Sequence, residues 1–347
     1  MRTDSANLFA KKSCPFTVKL LDDKLLDDES LASLLPASYR TRSDDLAIPS
    51  DDDTDYLLKE LSLDRLNKIH SLLWLVGRPM PPRALHHQIL LGREIAVTEQ
   101  MDMHLVWTKG WMFLKPIPRF VLDPDFWTAH LSCSPGCGCL KGEGPANDNE
   151  CNKQRLRKCA LGLIFSYIAL VSHESDFFIA KEKHLLPTES TWPKWRKLVQ
   201  EILNHNGGAI YGNVNKRFIY GELRLSRLNK IYRLTQGPFC RGYMSSWNRY
   251  VDFFQANLAI LASATAYIVI ILTAMQVGLA TNALSDNDAF QSASYGFTIF
   301  SILGPLVAFL LILVAFCFIF VTNWIATKKY EKKRFPSINV KAAPTNC

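Results

Sequence analysis

Two long apolar stretches near the C-terminus constrain this chain more than any other feature of its sequence. They run from Leu258 to Ala280 and from Phe297 to Ile325, and neither contains an Asp, Glu, Lys, Arg or His. A helix that crosses a bilayer needs about 20 mostly apolar residues. Because the stretches have 23 and 29 residues, the sequence predicts two transmembrane helices, at 258–280 and 297–325, and a lipid bilayer as the first partner.

Charged residues around these stretches predict how the chain crosses the membrane. The connection 281–296 contains two Asp but no Lys or Arg, whereas the tail 326–347 carries five cations in its first nine residues. Lys and Arg beside a span are retained on the cytosolic side. We therefore expect a helical hairpin with both termini cytosolic and 281–296 as a non-cytosolic loop. The basic tail is suited to anionic lipids, although a topological stop signal explains it equally well.

An aromatic pattern precedes the first span, in segment 241–257. Tyr243, Trp247, Tyr250 and Phe254 recur at intervals of four, three and four residues, which places four rings on one face of a helix. Aromatic rings concentrate at membrane interfaces, so we predict an interfacial aromatic helix here. Packing of this face on the soluble part of the same protein is the open alternative.

Charge is unevenly distributed along the rest of the chain. Residues 1–55 have a net charge of −5, whereas residues 56–256 have a net charge of +10. The acidic segment 1–55 lacks a long periodic apolar pattern, and we predict that it is largely flexible, apart from a short helix over 24–35. No signal peptide opens the chain, since charged residues interrupt any apolar run. Residues 56–240 are long enough for one folded cytosolic domain.

Helical signals outnumber strand signals in this domain. The predicted elements are a helix from Leu61 to Leu73 that ends near Gly77, a hairpin pairing Met101–Trp107 with Trp111–Leu114, a helix capped by Asp123 and Pro124, a central buried helix from Cys159 to Val171, and an amphipathic helix that follows Thr191. The fold class predicted is therefore α+β with helices dominant, followed by the two-helix transmembrane hairpin.

One ten-residue pattern occurs twice. Glu60–Ile69 reads ELSLDRLNKI and Glu222–Ile231 reads ELRLSRLNKI, with eight identities. If both form helices, they present similar surfaces and are candidates for a pseudo-symmetric pair. A duplicated basic recognition helix for acidic lipid heads or nucleic acid is the functional interpretation. Two amphipathic helices with solvated Arg and Lys are the simpler one, and the sequence favours it.

Several long phrases resemble an uncharacterised family of fungal membrane proteins with a soluble region and two C-terminal spans. These phrases are GRPMPPRALHHQILLGREIAVTEQMDMHLVW (77–107), FLKPIPRFVLDP (113–124), YGELRLSRLNKIYRL (220–234), LTAMQVGLAT (272–281) and FQSASYGFTIFSILGPL (290–306). The resemblance covers most of the chain from about residue 60 and implies no activity. Some relatives carry a subtilisin-like label, but this chain has no G-x-S-x-G or comparable nucleophile turn, so an enzyme is disfavoured and no catalytic residue is predicted.

Two clusters have ligand chemistry that suits metals. Cys133, Cys137, Cys139, Cys151 and Cys159 follow His130, but their spacing is not a common zinc pattern. The competing interpretation is a flexible insertion over 132–153 with reduced thiols. Asp51, Asp52 and Asp55 fit the D-D-x-x-D arrangement that binds Mg²⁺ and diphosphate, but a solvated charge run explains them better. We therefore predict no metal or cofactor site.

Two function classes remain. The first is a membrane-tethered interaction or scaffold protein. The second is an oligomeric ion channel or transporter, because a large N-terminal domain before two spans is similar in topology to CorA-like magnesium channels. Val277 to Ala280 stand where that family has Y-G-M-N, and neither span holds an ionisable group. Five polar residues of the first span remain candidates for a pore or for helix packing: Ser263, Thr265, Tyr267, Thr273 and Gln276. A homo-oligomer is open, and no nucleic acid is expected.

Overall fold

The structure is a computed structural model that describes residues 14–21, 31–41, 43–50, 54–133, 151–205, 210–235, 242–244 and 250–338. The chain divides into two compact units, Met1–Met244 and Ser245–Cys347. We call them the N-terminal unit and the C-terminal unit and describe each by itself.

Short helices make up most of the N-terminal unit. In chain order they are α1 (Thr54–Glu60), α2 (Asp64–Asn67), α3 (Leu85–Leu90), α4 (Pro124–His130), α5 (Asn152–Leu170), α6 (Glu174–Glu182), α7 (Trp192–His205), α8 (Ile210–Asn213) and α9 (Leu225–Thr235). Turns of 3-10 helix occupy Leu31–Leu34, His70–Leu75, Met101–Met103, Arg119–Leu122 and Lys216–Ile219. This helix-dominant architecture with small sheets confirms the predicted fold class.

Two small sheets complete the unit. Strands β1 (Tyr39–Arg40) and β2 (Leu46–Ala47) pair antiparallel. The other sheet contains β3 (Glu94–Val97), β4 (Val106–Thr108), β5 (Trp111–Leu114) and β6 (Leu223–Arg224) in the order β3-β5-β4-β6. Its central pair β4–β5 is the predicted hairpin, but β4 is shorter than expected. Residues Met101–Met103 form a 3-10 helix instead, and Leu105 has a positive φ of 63° that interrupts the extended backbone.

The core of the N-terminal unit surrounds α5. Eleven residues of α5 between Leu156 and Leu170 are buried, which confirms the predicted central helix. Helix α4 begins as predicted, because the Asp123 carboxylate accepts the Phe126 N–H at 2.9 Å and Pro124 occupies the first turn. The predicted amphipathic helix is α7, which buries Trp195, Leu198 and Ile202.

The predicted continuous helix from Leu61 to Leu73 is wrong. The chain instead forms α1, α2 and the 3-10 helix His70–Leu75, separated by short breaks. The physical reason lies in the leucine spacing. Leu61, Leu63 and Leu66 are all buried, and residues two apart on one straight helix point in nearly opposite directions. A break after α1 lets all three reach the same core.

Part of the acidic segment 1–55 packs into the core of the N-terminal unit. Phe16, Val18 and Leu20 are buried in the core, and the Glu201 carboxylate accepts the Thr17 N–H at 2.6 Å. Burial alternates along 16–20, and a period of two suits an extended chain and not a helix. The predicted helix over 24–35 is described only at Leu31–Leu34, as a 3-10 helix.

Helices make up the described part of the C-terminal unit. They are α10 (Tyr250–Leu279), α11 (Asn282–Ser285) and α12 (Asp288–Ser337), and α10 packs against α12. Asn257–Leu279 and Asp288–Pro336 are long and apolar enough to cross a membrane, which agrees with the two predicted spans. The connection is shorter than the expected 281–296, because the Asn287 side chain accepts the Phe290 N–H at 3.1 Å and starts α12 early.

Tyr243 does not belong to an interfacial helix. It lies before α10, is buried in the N-terminal unit, and its hydroxyl donates to the Asp102 carbonyl at 2.9 Å. Tyr243 therefore follows the open alternative, because its ring packs inside the N-terminal unit. Trp247 and the side chains of Tyr250 and Phe254 lie outside the described residues.

Candidate functional site

A cavity of about 400 Å³ in the N-terminal unit is lined by an unusual concentration of arginine. We call it the arginine pocket. Its charged lining residues are Arg78, Arg83, Arg93, Arg224, Arg227 and Glu222, and its aromatic ones are Trp74 and Trp107. Five guanidinium groups against one carboxylate leave a formal excess of four positive charges. Such an excess in a concave site favours an anionic ligand.

Two glycines allow the chain segments of the pocket to meet. A Cβ on Gly221 would lie 2.4 Å from the Met80 carbonyl oxygen, and a Cβ on Gly77 would lie 2.6 Å from the Glu222 carbonyl oxygen. Both positions therefore need a residue without a side chain. The Gly221 N–H donates to the Met80 carbonyl at 2.9 Å. This backbone contact fixes the loop that carries Arg78 and Arg83 beside the strand that carries Arg224.

Glu222 organises one side of the pocket. Its carboxylate accepts the Arg83 N–H at 3.2 Å, the Gln88 amide at 2.8 Å and the Arg93 guanidinium at 2.7 Å. Burial alone would raise the pKa of Glu222, but hydrogen bonds from Arg93, Gln88 and the Arg83 backbone lower this pKa below its ordinary value. The carboxylate is thus ionised at neutral pH and engaged by protein donors.

Arg78, Arg224 and Arg227 are not paired with Glu222. The guanidinium carbon of Arg224 lies 5.3 Å from the Trp107 ring centroid, and that of Arg93, which is paired with Glu222, lies 4.1 Å from it. Stacking on an aromatic face holds a guanidinium in one plane and leaves the N–H edge of Arg224 free to donate. Arg227 donates to the Leu75 carbonyl at 3.1 Å. No carboxylate of the described residues lies within 4.0 Å of the Arg78, Arg224 or Arg227 guanidinium.

A larger cavity of about 950 Å³ has a more balanced lining, with Arg40, Lys59, Arg65 and Arg119 against Glu60, Glu99 and Asp102. Arg65 binds the Asp102 carboxylate at 2.9 Å, and the buried Lys115 ammonium binds both Glu60 and Glu99. The formal excess of this lining is one positive charge, against four in the arginine pocket, so it favours an anion less strongly.

A Ser–His pair lies in the described part of the chain, but its hydrogen bonds are not those of a catalytic triad. The His104 Nε2 atom is 2.7 Å from the Ser166 Oγ, and both side chains are buried. The His104 Nδ1 atom accepts the Lys115 N–H at 3.1 Å, where a catalytic triad would have a carboxylate. Ser166 in turn donates to the Leu163 carbonyl at 2.6 Å. Burial, Arg217 and Lys115 hold the pKa of His104 well below its usual range, so the imidazole is neutral.

The structure brings together two of the candidate zinc cysteines. The Cys133 and Cys151 sulfurs are 3.3 Å apart, where Cys151 also caps α5. Cys159 is buried in α5, and the His130 ring packs against Phe126 at 4.6 Å. Cys137 and Cys139 lie outside the described residues, as does most of the predicted insertion 132–153. The candidate set is therefore neither assembled nor tested.

The remaining candidates are spread over both units. Asp55 starts α1, whereas Asp51 and Asp52 lie outside the described part of the chain. In α10, the hydroxyls of Ser263, Thr265 and Thr273 donate to carbonyls of their own helix, four residues back. Tyr267 and Gln276 are exposed within the C-terminal unit. The structure brings none of these described residues into a second site.

The repeated motif contributes to the arginine pocket through one copy. In the second copy Glu222, Arg224 and Arg227 line the pocket. In the first copy Glu60 binds Lys115 and Arg65 binds Asp102, so the equivalent charges are paired. The expectation of two similar helical surfaces is therefore wrong, because the second copy begins as strand β6 and the first does not. Sequence reasoning missed the pocket, although the phrases around 77–107 and 220–234 contain all five of its arginines.

Comparison with known proteins gives a family without a function. Residues 53–305, more than half of the chain, match the family described as a family of unknown function, DUF6601. No curated protein and no solved structure matches the chain. The matched range contains every arginine of the pocket.

Proposed function

We propose that this chain, which belongs to the DUF6601 family of unknown function, is a membrane-tethered interaction protein that binds a phosphate-bearing group through its arginine pocket. Two helices that are long and apolar enough to cross a bilayer support the tether. The asymmetry of Lys and Arg supports a cytosolic position for both termini. The single observation that carries the ligand class is the excess of four positive charges around a 400 Å³ cavity.

Phosphate fits this lining better than a carboxylate does. A phosphomonoester carries a charge of about −1.5 to −2 and three strong acceptor oxygens. Arg78, Arg224 and Arg227 lack a carboxylate partner among the described residues, and planar guanidinium forks bind phosphate in a bidentate manner. Trp74, 62% exposed beside them, offers an apolar face to the rest of a ligand.

The phosphate has two possible sources, a lipid headgroup and a soluble metabolite. Both sources present the same phosphate chemistry to the pocket. Binding assays with two soluble probes therefore distinguish a lipid headgroup from a soluble metabolite. The full chain in detergent is titrated with inorganic pyrophosphate and with the free headgroup of a polyphosphorylated inositol lipid. Binding of both probes with similar affinity favours a phosphate group alone. Binding of only the headgroup favours an anionic lipid.

Arg78 and Arg224 are the sharpest positions for a mutational test. Both are exposed and without an ion pair among the described residues, so their removal leaves the core intact. We expect Arg78→Ala and Arg224→Ala each to weaken binding of the probe about 10-fold or more, the value of one hydrogen bond to a charged group. The dissociation constant is measured by calorimetry.

Arg196→Ala is the matched control, because Arg196 is an exposed arginine of α7 outside the pocket. It removes the same charge from the same unit and leaves the affinity unchanged if the pocket is the site. Equal losses in all three variants indicate nonspecific attraction to a basic surface and contradict the proposal. Absence of binding for both probes contradicts it as well.

The channel alternative has weaker support. Stretches 258–280 and 297–325 contain no Asp, Glu, Lys, Arg or His, and the three hydroxyls of α10 noted above donate to their own helix. Gln276 is the exposed polar side chain that a pore would use. Crosslinking of the purified protein to a symmetric oligomer, together with ion flux that Gln276→Leu abolishes, favours a channel. A tether is unaffected by that change.

A further inference from the structure

Two imidazoles and one carboxylate converge where α3 meets the start of α6. His86 is the second residue of α3, His173 immediately precedes α6, and Asp176 lies in its first turn. One nitrogen of each ring and one carboxylate oxygen lie within 4.8 Å of one another. Within the described part of the chain, this is the single group of three or more such side chains. It shares no residue with the arginine pocket.

Asp176 is fixed in the ionised state at the centre of this group. The side chain is fully buried, and its carboxylate accepts the His86 N–H at 2.8 Å and the His173 N–H at 3.0 Å. These bonds cap the first turns of α3 and α6. Burial acts to raise the pKa of Asp176, but the hydrogen bonds from His86 and His173 lower this pKa below its ordinary value. The capping box at the start of α6 accounts for the carboxylate and also uses the His173 side chain, whereas neither cap requires the His86 imidazole.

Both histidine side chains can be reached by a cation from solvent. Their exposed fractions are 47% for His86 and 69% for His173, and their ring centroids are 5.4 Å apart. The His86 Nδ1 atom lies 2.8 Å from the Asp176 Oδ1 atom, which places a nitrogen donor and an oxygen donor side by side. An ion bound between them would replace the proton of this hydrogen bond, because a metal ligand nitrogen must be deprotonated.

The carboxylate also has acceptor capacity left. An ionised carboxylate has about four lone-pair positions, and two backbone N–H groups and the His86 ring use three of them. Tetrahedral ligands at about 2.0–2.2 Å from Zn²⁺ lie roughly 3.3–3.6 Å apart. The widest present separation therefore needs to close by about 1.5 Å at most, and the 2.8 Å His86–Asp176 pair needs to open by about 0.5 Å, while the buried carboxylate stays in place.

We propose that His86, His173 and Asp176 form a binding site for a divalent transition-metal ion of the Zn²⁺ class, with a fourth position open to water. Imidazole nitrogen selects Zn²⁺, Ni²⁺ or Cu²⁺ over Mg²⁺ and Ca²⁺, which prefer oxygen ligands. The ion joins the N-terminal ends of α3 and α6. This inference is independent of the proposed anion pocket.

Zinc binding is measured on the full chain in detergent after its thiols are alkylated with N-ethylmaleimide. Alkylation is needed because the chain has nine cysteines, and thiolates bind Zn²⁺ strongly. Competition with a chromogenic chelator then gives stoichiometry and affinity. We expect one ion per chain, with affinity at least 10-fold weaker in His86→Ala and in His173→Ala. His87→Ala, at the next residue of α3 and outside the group, binds as the unchanged protein does.

Asp176→Asn removes the negative charge and keeps part of the helix capping. The asparagine oxygen accepts one of the two backbone N–H groups, whereas the other acceptor is replaced by an amide NH₂. We expect the same loss of zinc affinity with an unchanged far-ultraviolet circular dichroism spectrum. If Asp176→Asn unfolds the protein, the two exposed histidines decide the question. Zinc binding that is absent after alkylation, or equal in His86→Ala, His173→Ala and His87→Ala, overturns the proposal.

Discussion

Arg217 and His104 are two fully buried basic side chains whose contacts support the arginine pocket. The Arg217 guanidinium donates to the carbonyls of His104 at 3.0 Å and of Gly221 at 3.3 Å, and also to that of Tyr220. Burial lowers the pKa of Arg217 to about 10, so the group remains charged at neutral pH. These three hydrogen bonds hold the backbone at Gly221, directly before Glu222. One interior residue thus positions the pocket without lining it.

His104 gives the protein a stability that depends on pH. Because burial, Arg217 and Lys115 lower its pKa in the folded state below 6.5, the unfolded chain binds more protons whenever the pH lies between the two values. Stability is therefore full above about pH 6.5 and falls as the pH decreases, by about 1.4 kcal/mol per pH unit from this group. Denaturant unfolding of the full chain in detergent at several pH values measures the slope.

His104→Phe is the variant that tests this assignment. Phenylalanine keeps a ring against Tyr167, on which His104 stacks with centroids 5.6 Å apart, but it cannot titrate. The variant is less stable at every pH because the Ser166 and Lys115 groups lose their partner. Its stability changes less between about pH 6.5 and about pH 5.5. The same slope in both proteins contradicts a buried neutral His104.

At the scale of elements, the sequence predicted what depends on neighbouring residues. The cap at Asp123 and Pro124, the buried helix α5 and the amphipathic α7 each carry their signal within a few positions. The arginine pocket does not, because it depends on Gly221 meeting Met80 and on Arg93 meeting Glu222, more than 120 residues apart. Local periodicity contains no information about such pairings.

The repeated motif shows which features the ten residues determine and which depend on the rest of the fold. Leu61, Leu63, Leu66 and Ile69 are buried, and so are the equivalent Leu223, Leu225, Leu228 and Ile231. The pattern of inward residues is thus reproduced in full. What differs is the partner of the first leucine, since Leu223 pairs with Val106 in the sheet and Leu61 follows a helix. Tertiary context, rather than the ten residues, selects strand or helix.

The approach of α5 to the 3-10 helix Lys216–Ile219 requires a glycine. A Cβ on Gly162 would lie 2.1 Å from the Phe218 ring, so Gly162→Ala forces the two elements apart. Overpacking of this kind costs about 1–3 kcal/mol, and we expect the melting temperature of the full chain in detergent to fall. Gly212→Ala is the matched control, since a Cβ on Gly212 meets nothing within 4 Å and alanine favours the helical state. Equal stability of the two variants argues against this packing.

At the scale of the whole molecule, charge and hydropathy divide the chain in the same way as its contacts do. The N-terminal unit contains every residue of the arginine pocket and of the His86 group, whereas the C-terminal unit contains both apolar helices. The proposed ligand sites and the helices that are long and apolar enough to cross a membrane thus lie in separate units. For such a chain, the side of the membrane on which each segment lies determines which ligands the pocket meets.

The membrane topology gives the last prediction. Lys and Arg flank the outer ends of the two spans, and the connection between them has only Asp286 and Asp288 as charges. We expect tags at both termini to be digested by protease added to intact microsomes. Accessible thiols are first blocked with a membrane-impermeant maleimide, and a labelled maleimide is added after permeabilisation. Ser285→Cys, in the connection, then gains label over the unchanged protein.

Arg196→Cys is the control on the N-terminal unit, because it replaces an exposed residue that should be blocked before permeabilisation and gain no label. The opposite pattern, with Ser285→Cys blocked in intact microsomes and the tags protected, places the connection in the cytosol. That result contradicts the predicted hairpin orientation. It also moves the arginine pocket away from cytosolic phosphates, so the topology assay bears directly on which anion the N-terminal unit can bind.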